Sequence, residues 1–195
     1  MISVLVTVDG SPESLAVIPA LEKLASDLEA RVQLLTVVER PRGTIRRPIA
    51  LPRSTVAGGY PGGTPIVQEP EQPQWAETGE QAMTRAIAEG RDFLRAAAQP
   101  LEARGFDVQA DVVVDGNVSK AIINYARRNK FDLIAMATHG RGGLSDLVQG
   151  SVGSAVVRSG VAPVLLTRPS KSQVRTYRAS IARAGRGGAL QLPAT

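Results

Sequence analysis

The chain has 195 residues, of which 43% are hydrophobic, 21% charged and 4% aromatic. That length and balance suit one domain with length to spare, and exclude a wholly disordered chain, collagen or a coiled coil. There is no cysteine and one histidine, His139, which excludes disulfide scaffolds, zinc fingers, iron–sulfur clusters, thiol nucleophiles and HExxH metal sites. The net charge of +5 is uneven: from Pro169 to Thr195 there are five bases, Lys171, Arg175, Arg178, Arg183 and Arg186, and no acid, leaving 18 bases and 18 acids in residues 1–168. The basic balance therefore reports a tail. A nucleic-acid-binding domain usually carries its charge on a folded face, so nucleic acid is not expected as a partner.

No stretch approaches the roughly 20 apolar residues of a membrane helix. Residues 1–8 lack a basic leader region and are interrupted at Asp9, so a soluble cytoplasmic protein is expected.

Residues 2–8 are a Val/Ile-rich run, the pattern of a strand buried on both faces. Asp9-Gly10-Ser11-Pro12 ends it and starts a helix, with Ser11 as cap and Pro12 at the first helical position. Leu15, Ile18, Leu21, Leu24 and Leu28 follow at helical spacing. Pro19 falls inside that helix and predicts a kink or a late start. The second strand is 32–38. Residues 40–75 hold seven prolines and five glycines without helical or strand period, and read as a long surface insertion. Its Arg40, Arg42, Arg46, Arg47 and Arg53 read as a solvated loop. Tyr60 and Trp75 could pack the insertion on the domain or on a second copy. A long helix is predicted from about Glu77 to Ala103, with Met83, Ile87, Leu94 and Leu101 as its stripe, Pro100 in its last turn and Gly105 as its stop. Phe106 to Val114 is the next strand. Asp115-Gly116-Asn117 starts a helix with Val118, Ala121, Ile122, Tyr125 and Ala126 on one face. Asp132 to Ala137 and Val161 to Thr167 are the last two strands, separated by a Gly-rich loop at 138–149 and a helix starting near Ser151. The alternation predicts a parallel α/β sheet covered on both faces, with ligand at the carboxyl ends of the strands. Residues 1–169 are read as one domain and 170–195 as a basic flexible tail.

The stretch that carries chemistry runs from Met136 to Val152. A buried strand ends in small residues, passes through a Gly-rich loop and enters a helix at Gly150-Ser151. Glycines let backbone N–H groups approach an anion, and a helix N-terminus adds unpaired donors and partial positive charge. Ser151 supplies a hydroxyl, and Arg141 could screen phosphate. No lysine follows the glycines, so this is neither a Walker A motif nor GxGxxG.

This sequence resembles the universal stress proteins, whose nucleotide-binding members carry G-x2-G-x9-G-[S/T]. The chain reads Ala137-x2-Gly140-x9-Gly150-Ser151. Val6-Thr7-Val8-Asp9-Gly10-Ser11, the span from Gly116 to Gly140, and Ser159 to Thr167 resemble the family's other signatures. The resemblance covers about residues 1–39 and 76–169, and not the insertion or the tail. It implies an open five-stranded parallel sheet of order 3-2-1-4-5, Rossmann-like and of adenine nucleotide alpha hydrolase type. It also implies a homodimer paired through the last strand, and ATP (or ADP or AMP) in some members and none in others. By position, Asp9 would lie near the adenosine, Val37 would contact adenine, and Met136 and Ala137 would line the ribose. Gly140, Gly150, Ser151 and Val152 would hold the phosphates. Ala137 stands where the motif has its first glycine, which is acceptable if φ is negative there and costly if it is positive.

Two functional readings are open. One is an ATP-binding regulatory module of stress response or signalling, with Mg²⁺ or Mn²⁺ on the phosphates. The other is a nucleotide-free dimeric stress or scaffold protein acting through its insertion and tail. The intact Gly140-x9-Gly150-Ser151 favours the first. His139 lacks an acid partner and a nucleophile at readable spacing, and reads as a loop-packing residue. No enzyme is expected, and any ATP hydrolysis would be slow.

Overall fold

The computed structural model describes residues 1–25, 29–40, 79–138 and 152–184. The chain divides into two compact units, Met1–Arg40 with Arg85–Thr195, and Pro41–Thr84. Of the second unit only residues 79–84, which open a helix, are described. The insertion read at 40–75 lies outside the described residues except for Arg40.

Five strands form one parallel sheet: β1 (Ile2–Thr7), β2 (Ala30–Val38), β3 (Asp107–Val114), β4 (Leu133–Ala137) and β5 (Val164–Thr167). Their order is β3-β2-β1-β4-β5, as the resemblance implies. Among the described residues five α-helices accompany them: α1 (Val17–Ala25), α2 (Gly79–Glu102), α3 (Val118–Asn129), α4 (Val152–Ser159) and α5 (Lys171–Ala184). No described helix is long and apolar enough to cross a membrane.

The continuous apolar run of β1 reflects its central place, because both faces are covered. Val4, Val6 and Val8 face one core, shared with Leu15, Ile18 and Leu21, with Leu94 and Leu101 of α2, and with Tyr177 of α5. Leu5 faces a second core, with Leu35, Ile134, Met136, Ile122 of α3 and Val156 of α4. The edges differ. β3 exposes Asp107, Gln109 and Asp111, and Asp107 accepts from Arg31 at 2.9 Å. β5 is half-buried along its length, and its Val164, Leu165 and Leu166 are apolar.

The late helix start predicted by Pro19 is present. A 3-10 turn, Glu13–Ala16, precedes α1, so Pro19 falls in the first turn of α1, where its missing N–H has no partner to lose. Ser11 caps the turn: its Oγ accepts from the Ser14 N–H at 3.2 Å. Leu24 does not continue the buried stripe and is 57% exposed; steps of three residues drift about 60° each around a 3.6-residue helix, so the row through Ile18 and Leu21 has left the core face by Leu24. Leu28 lies outside the described residues. α2 ends two residues after Pro100, and Gly105 at φ +86° closes it while the Phe106 N–H reaches back to the Leu101 carbonyl. The Asn117 side chain caps α3 by accepting from the Lys120 N–H at 2.9 Å. β5 begins at Val164, not Val161, because Pro163 has no N–H for the ladder; its carbonyl still accepts from Ile134.

The flexible tail expected from residue 170 is corrected by the structure over 171–184, which form α5. Ser170 and Gln173 make a reciprocal capping box: the Gln173 N–H donates to Ser170 Oγ at 3.3 Å and the Ser170 N–H to Gln173 Oε1 at 2.8 Å. Tyr177 is fully buried and Ile181 packs beside it. One aromatic and a short apolar stripe suffice to dock a helix that composition describes as polar.

Tyr177 sits near an ionic pair. Glu22 of α1 is buried and accepts from Arg104 just beyond α2. Neither Glu22 Oε1 nor the Tyr177 hydroxyl has a hydrogen-bond partner among the described residues. Burial raises the Glu22 carboxyl above its ordinary range, against the opposing pull of Arg104. Burial, and then the Glu22 charge, raise the Tyr177 phenol.

A carboxyl held high contributes stability that is complete below its unfolded value and is lost as pH rises through the folded one. Relative to the parent, Glu22→Gln should therefore gain in urea midpoint as pH rises above about 4.3; a change in the parent's favour would mean that the Arg104 attraction outweighs burial. Tyr177→Phe removes only an unpartnered hydroxyl and should stay within about 1 kcal/mol of the parent. Tyr177→Ala should cost about 3–5 kcal/mol in the same denaturation series.

Candidate functional site

β1 and β4 are adjacent and end level, with Thr7 opposite Met136. The chain leaves them to opposite faces. After β1 the 3-10 turn and α1 pack on the Val4–Val6–Val8 side, and after β4 comes α4, whose Val156 packs on the Leu5–Met136 side. Neighbouring parallel strands whose connections part in this way open a crevice at their carboxyl ends. β2 forms a wall beside it. Thr7 is opposite Leu35, while β2 continues three residues further to Val38, roughly 10 Å of extra strand.

The first side chain past β1 that reaches this edge is Asp9. It is exposed, and its Oδ1 accepts from the Ser11 N–H at 3.0 Å and from the Ser11 hydroxyl at 2.6 Å. Such a side chain-to-backbone turn fixes the carboxylate at the strand end. Gly10, between them, has φ +82°, a conformation side chains disfavour.

From β4, Met136 is buried against the second core and Ala137 is half-buried against the first. Ala137 pairs with Thr167 in extended conformation, and Lys130 is the only non-glycine residue with positive φ among the described residues. An alanine methyl therefore causes no backbone strain where the motif has glycine. Val37 is half-buried on the Met136 side of the sheet. Val152 is half-buried and opens α4. The backbone of Gly153 is packed over the ends of β4 and β5: a methyl there would meet Leu166 Cδ2 at 3.8 Å and Met136 Sδ at 3.9 Å. The N-terminal donors of α4 are thus carried at the carboxyl end of the sheet.

The structure accordingly brings Asp9, Met136, Ala137 and Val152 to the carboxyl edge of β1 and β4, with Val37 on the projecting part of β2. Gly140, Arg141, Gly150 and Ser151 lie outside the described residues, as does His139. Motif spacing does not single out Gly153. Its signal in the sequence is a further glycine two residues after Ser151, at a place where a methyl would lie in ordinary contact with Leu166 and Met136. Thr167, which the motif also passes over, accepts at its carbonyl from the Thr138 N–H at 2.8 Å and so holds the first residue after β4.

Comparison with known proteins agrees with this geometry. Residues 65–168 match the sequence profile of the universal stress protein family, just over half of the chain. A universal stress protein of Methanocaldococcus jannaschii is 29% identical over 85 residues, which is 44% of this chain and 49% of that protein. The chain thus matches half or less of the length of the first curated relatives. Among solved structures, the protein MJ0577 superposes with a TM-score of 0.61 at 19% identity, covering 87% of this chain and 96% of that one. A universal stress protein family member from Arabidopsis thaliana with AMP bound superposes at 0.57 and 15% identity, covering 89% and 95%. Other solved members are complexes with cAMP and dAMP. At these identities the structural likeness establishes the fold.

Gly10→Ala meets no atom within 4 Å, so its cost is conformational, about 1–2 kcal/mol. Ala137→Gly should lower stability by about 0.5–1 kcal/mol through strand entropy. Urea denaturation of both variants checks these values.

Proposed function

The chain belongs to the universal stress protein family, and on that premise we propose that it is a regulatory module of stress response that binds ATP. The supporting observation is the crevice between the level ends of β1 and β4, with the first turn of α4 packed over Met136 and Leu166. Solved family members of the same fold carry AMP, cAMP and dAMP. The extended backbone at Ala137 removes the objection that the altered motif would strain the loop.

In this reading Val37 gives the adenine an apolar contact, Asp9 lies near the adenosine, and Met136 and Ala137 line the ribose. Gly140, Gly150, Ser151 and Val152 hold the phosphates through backbone N–H groups and the Ser151 hydroxyl, with Arg141 screening their charge. ADP or AMP would use the same adenosine contacts. Mg²⁺ or Mn²⁺ is proposed on the phosphates, whose oxygens are the hard ligands such cations take. The protein is read as a switch rather than an enzyme, with nucleotide occupancy signalling energy state to a partner. It is also read as a cytoplasmic homodimer. β5 supports the dimer, because it ends the sheet with apolar, half-exposed residues, and Val157 of α4 is 46% exposed.

The test is to purify the protein without added nucleotide, denature it, and identify released small molecules by chromatography and mass spectrometry. Near-stoichiometric ATP or ADP is the expected result. An empty protein that also ignores added ATP with Mg²⁺ or Mn²⁺ overturns the reading in favour of a nucleotide-free scaffold. Gly150→Val, which adds bulk at the phosphates, and Ser151→Asp, which adds like charge, should each abolish ATP binding in calorimetry while the urea midpoint stays near the parent's.

A further inference from the structure

α5 places three of its bases on one side. Lys171, Arg175 and Arg178 are exposed and spaced i, i+4, i+7, so they share a strip roughly a sixth of the helix circumference wide, about 6 Å and about 4.5 Å apart along the axis. No acid occurs between Lys171 and Ala184. Among the described residues none of the three is in an ion pair. The helix is held by Tyr177 and Ile181 in the first core and by its Ser170–Gln173 capping box. The sequence argues against nucleic acid only because the charge lies in a stretch that reads as a flexible tail. The docked helix removes that premise over residues 171–184, since the three cations are already ordered at fixed spacing.

The surroundings of the strip select among polyanions. Among the described residues the exposed large hydrophobic side chains are Met1, Leu24 and Val157, none of them on α5. A protein partner would find no apolar or aromatic anchor there, and such anchors carry most interface affinity. A membrane-surface helix inserts its apolar face, whereas Tyr177 and Ile181 of α5 are committed to the core. Single strands are held largely by stacking on aromatic rings, and no aromatic is exposed on the strip. A duplex phosphate backbone requires only ordered cations.

We propose that Lys171, Arg175 and Arg178 form a sequence-independent contact for the phosphate backbone of double-stranded nucleic acid. The proposal does not rest on the nucleotide reading.

The test uses the full chain and two unrelated labelled 20-bp DNA duplexes, followed by fluorescence anisotropy across a salt series from about 25 to about 200 mM. Both duplexes should bind alike, with Kd of about 10⁻⁴ to 10⁻⁶ M near physiological salt. Three phosphate contacts give a slope of log K on log salt of about −2.7. Arg175→Gln and Arg178→Gln, both exposed substitutions, should each make that slope shallower by about 0.9, and the combined K171Q/R175Q/R178Q chain should lose binding with its urea midpoint kept. Should the combined chain be destabilised, the single variants carry the same test. No binding at low salt overturns the proposal. So does an unchanged slope in the variants, which would put the contact elsewhere on the chain. Binding to phosphatidylserine vesicles without binding to duplex also overturns it.

Discussion

Coverage of β1 on both faces is the constraint on which the remaining structure depends. A strand at the middle of a parallel sheet leaves no side for solvent, so every position of its run must be apolar or satisfied. Val4 and Val6 anchor the core under α1, α2 and α5, and Leu5 anchors the core under α3 and α4. Because β1 is flanked by β2 on one side and β4 on the other, the chain must cross the sheet once between them. That crossing produces the crevice. The candidate site is thus a consequence of strand order, and the residues around it are those at the end of β1, at the end of β4 and at the start of α4.

Much of this order is legible in the sequence, for physical reasons that differ by element. The strand runs at the middle of the sheet and the Asn117-capped α3 announce themselves, because burial on both faces and strict helical spacing leave little choice. Leu24 departs from its expected burial because repeated steps of three residues drift around a 3.6-residue helix, so a row that is buried at Ile18 and Leu21 turns to solvent by Leu24. β5 is shorter than its apolar run because Ala162-Pro163 looks like strand, yet proline cannot join a ladder as a donor. α5 reads as a tail because charge dominates its composition. Its docking depends on Tyr177, which joins the core that holds Leu15 and Ile18 and feels the charge of Glu22, all far away in the chain. At the site, Asp9, Met136 and Ala137 can be placed by their positions at strand ends. Gly153 cannot, because its role is a distance to Met136 and Leu166 that only the folded chain defines.

Glu22, Arg104 and Tyr177 bring together three parts of the chain that share no strand: α1, the turn following α2, and α5. A buried carboxylate with one partnered oxygen is weak evidence for stability and better evidence for specificity, since a misplaced helix would leave its charge without Arg104. The same cluster ties the acid-free helix to the sheet without neutralising it, because Glu22 is engaged by Arg104 and is buried. Lys171, Arg175 and Arg178 therefore stay exposed on the outside of α5.

The two edges of the sheet are unlike. β3 carries Asp107, Gln109 and Asp111, with Arg31 bridging to Asp107 from β2, while β5 is short and apolar. Unpaired strand edges recruit other strands unless charge discourages it. A molecule with one forbidding edge and one receptive edge can add a neighbour on one side only, and like edges meeting through a two-fold axis use each other up. In the homodimer proposed above, growth of the sheet by edge pairing would stop at two copies, with the charged β3 edge opposing its continuation into a filament.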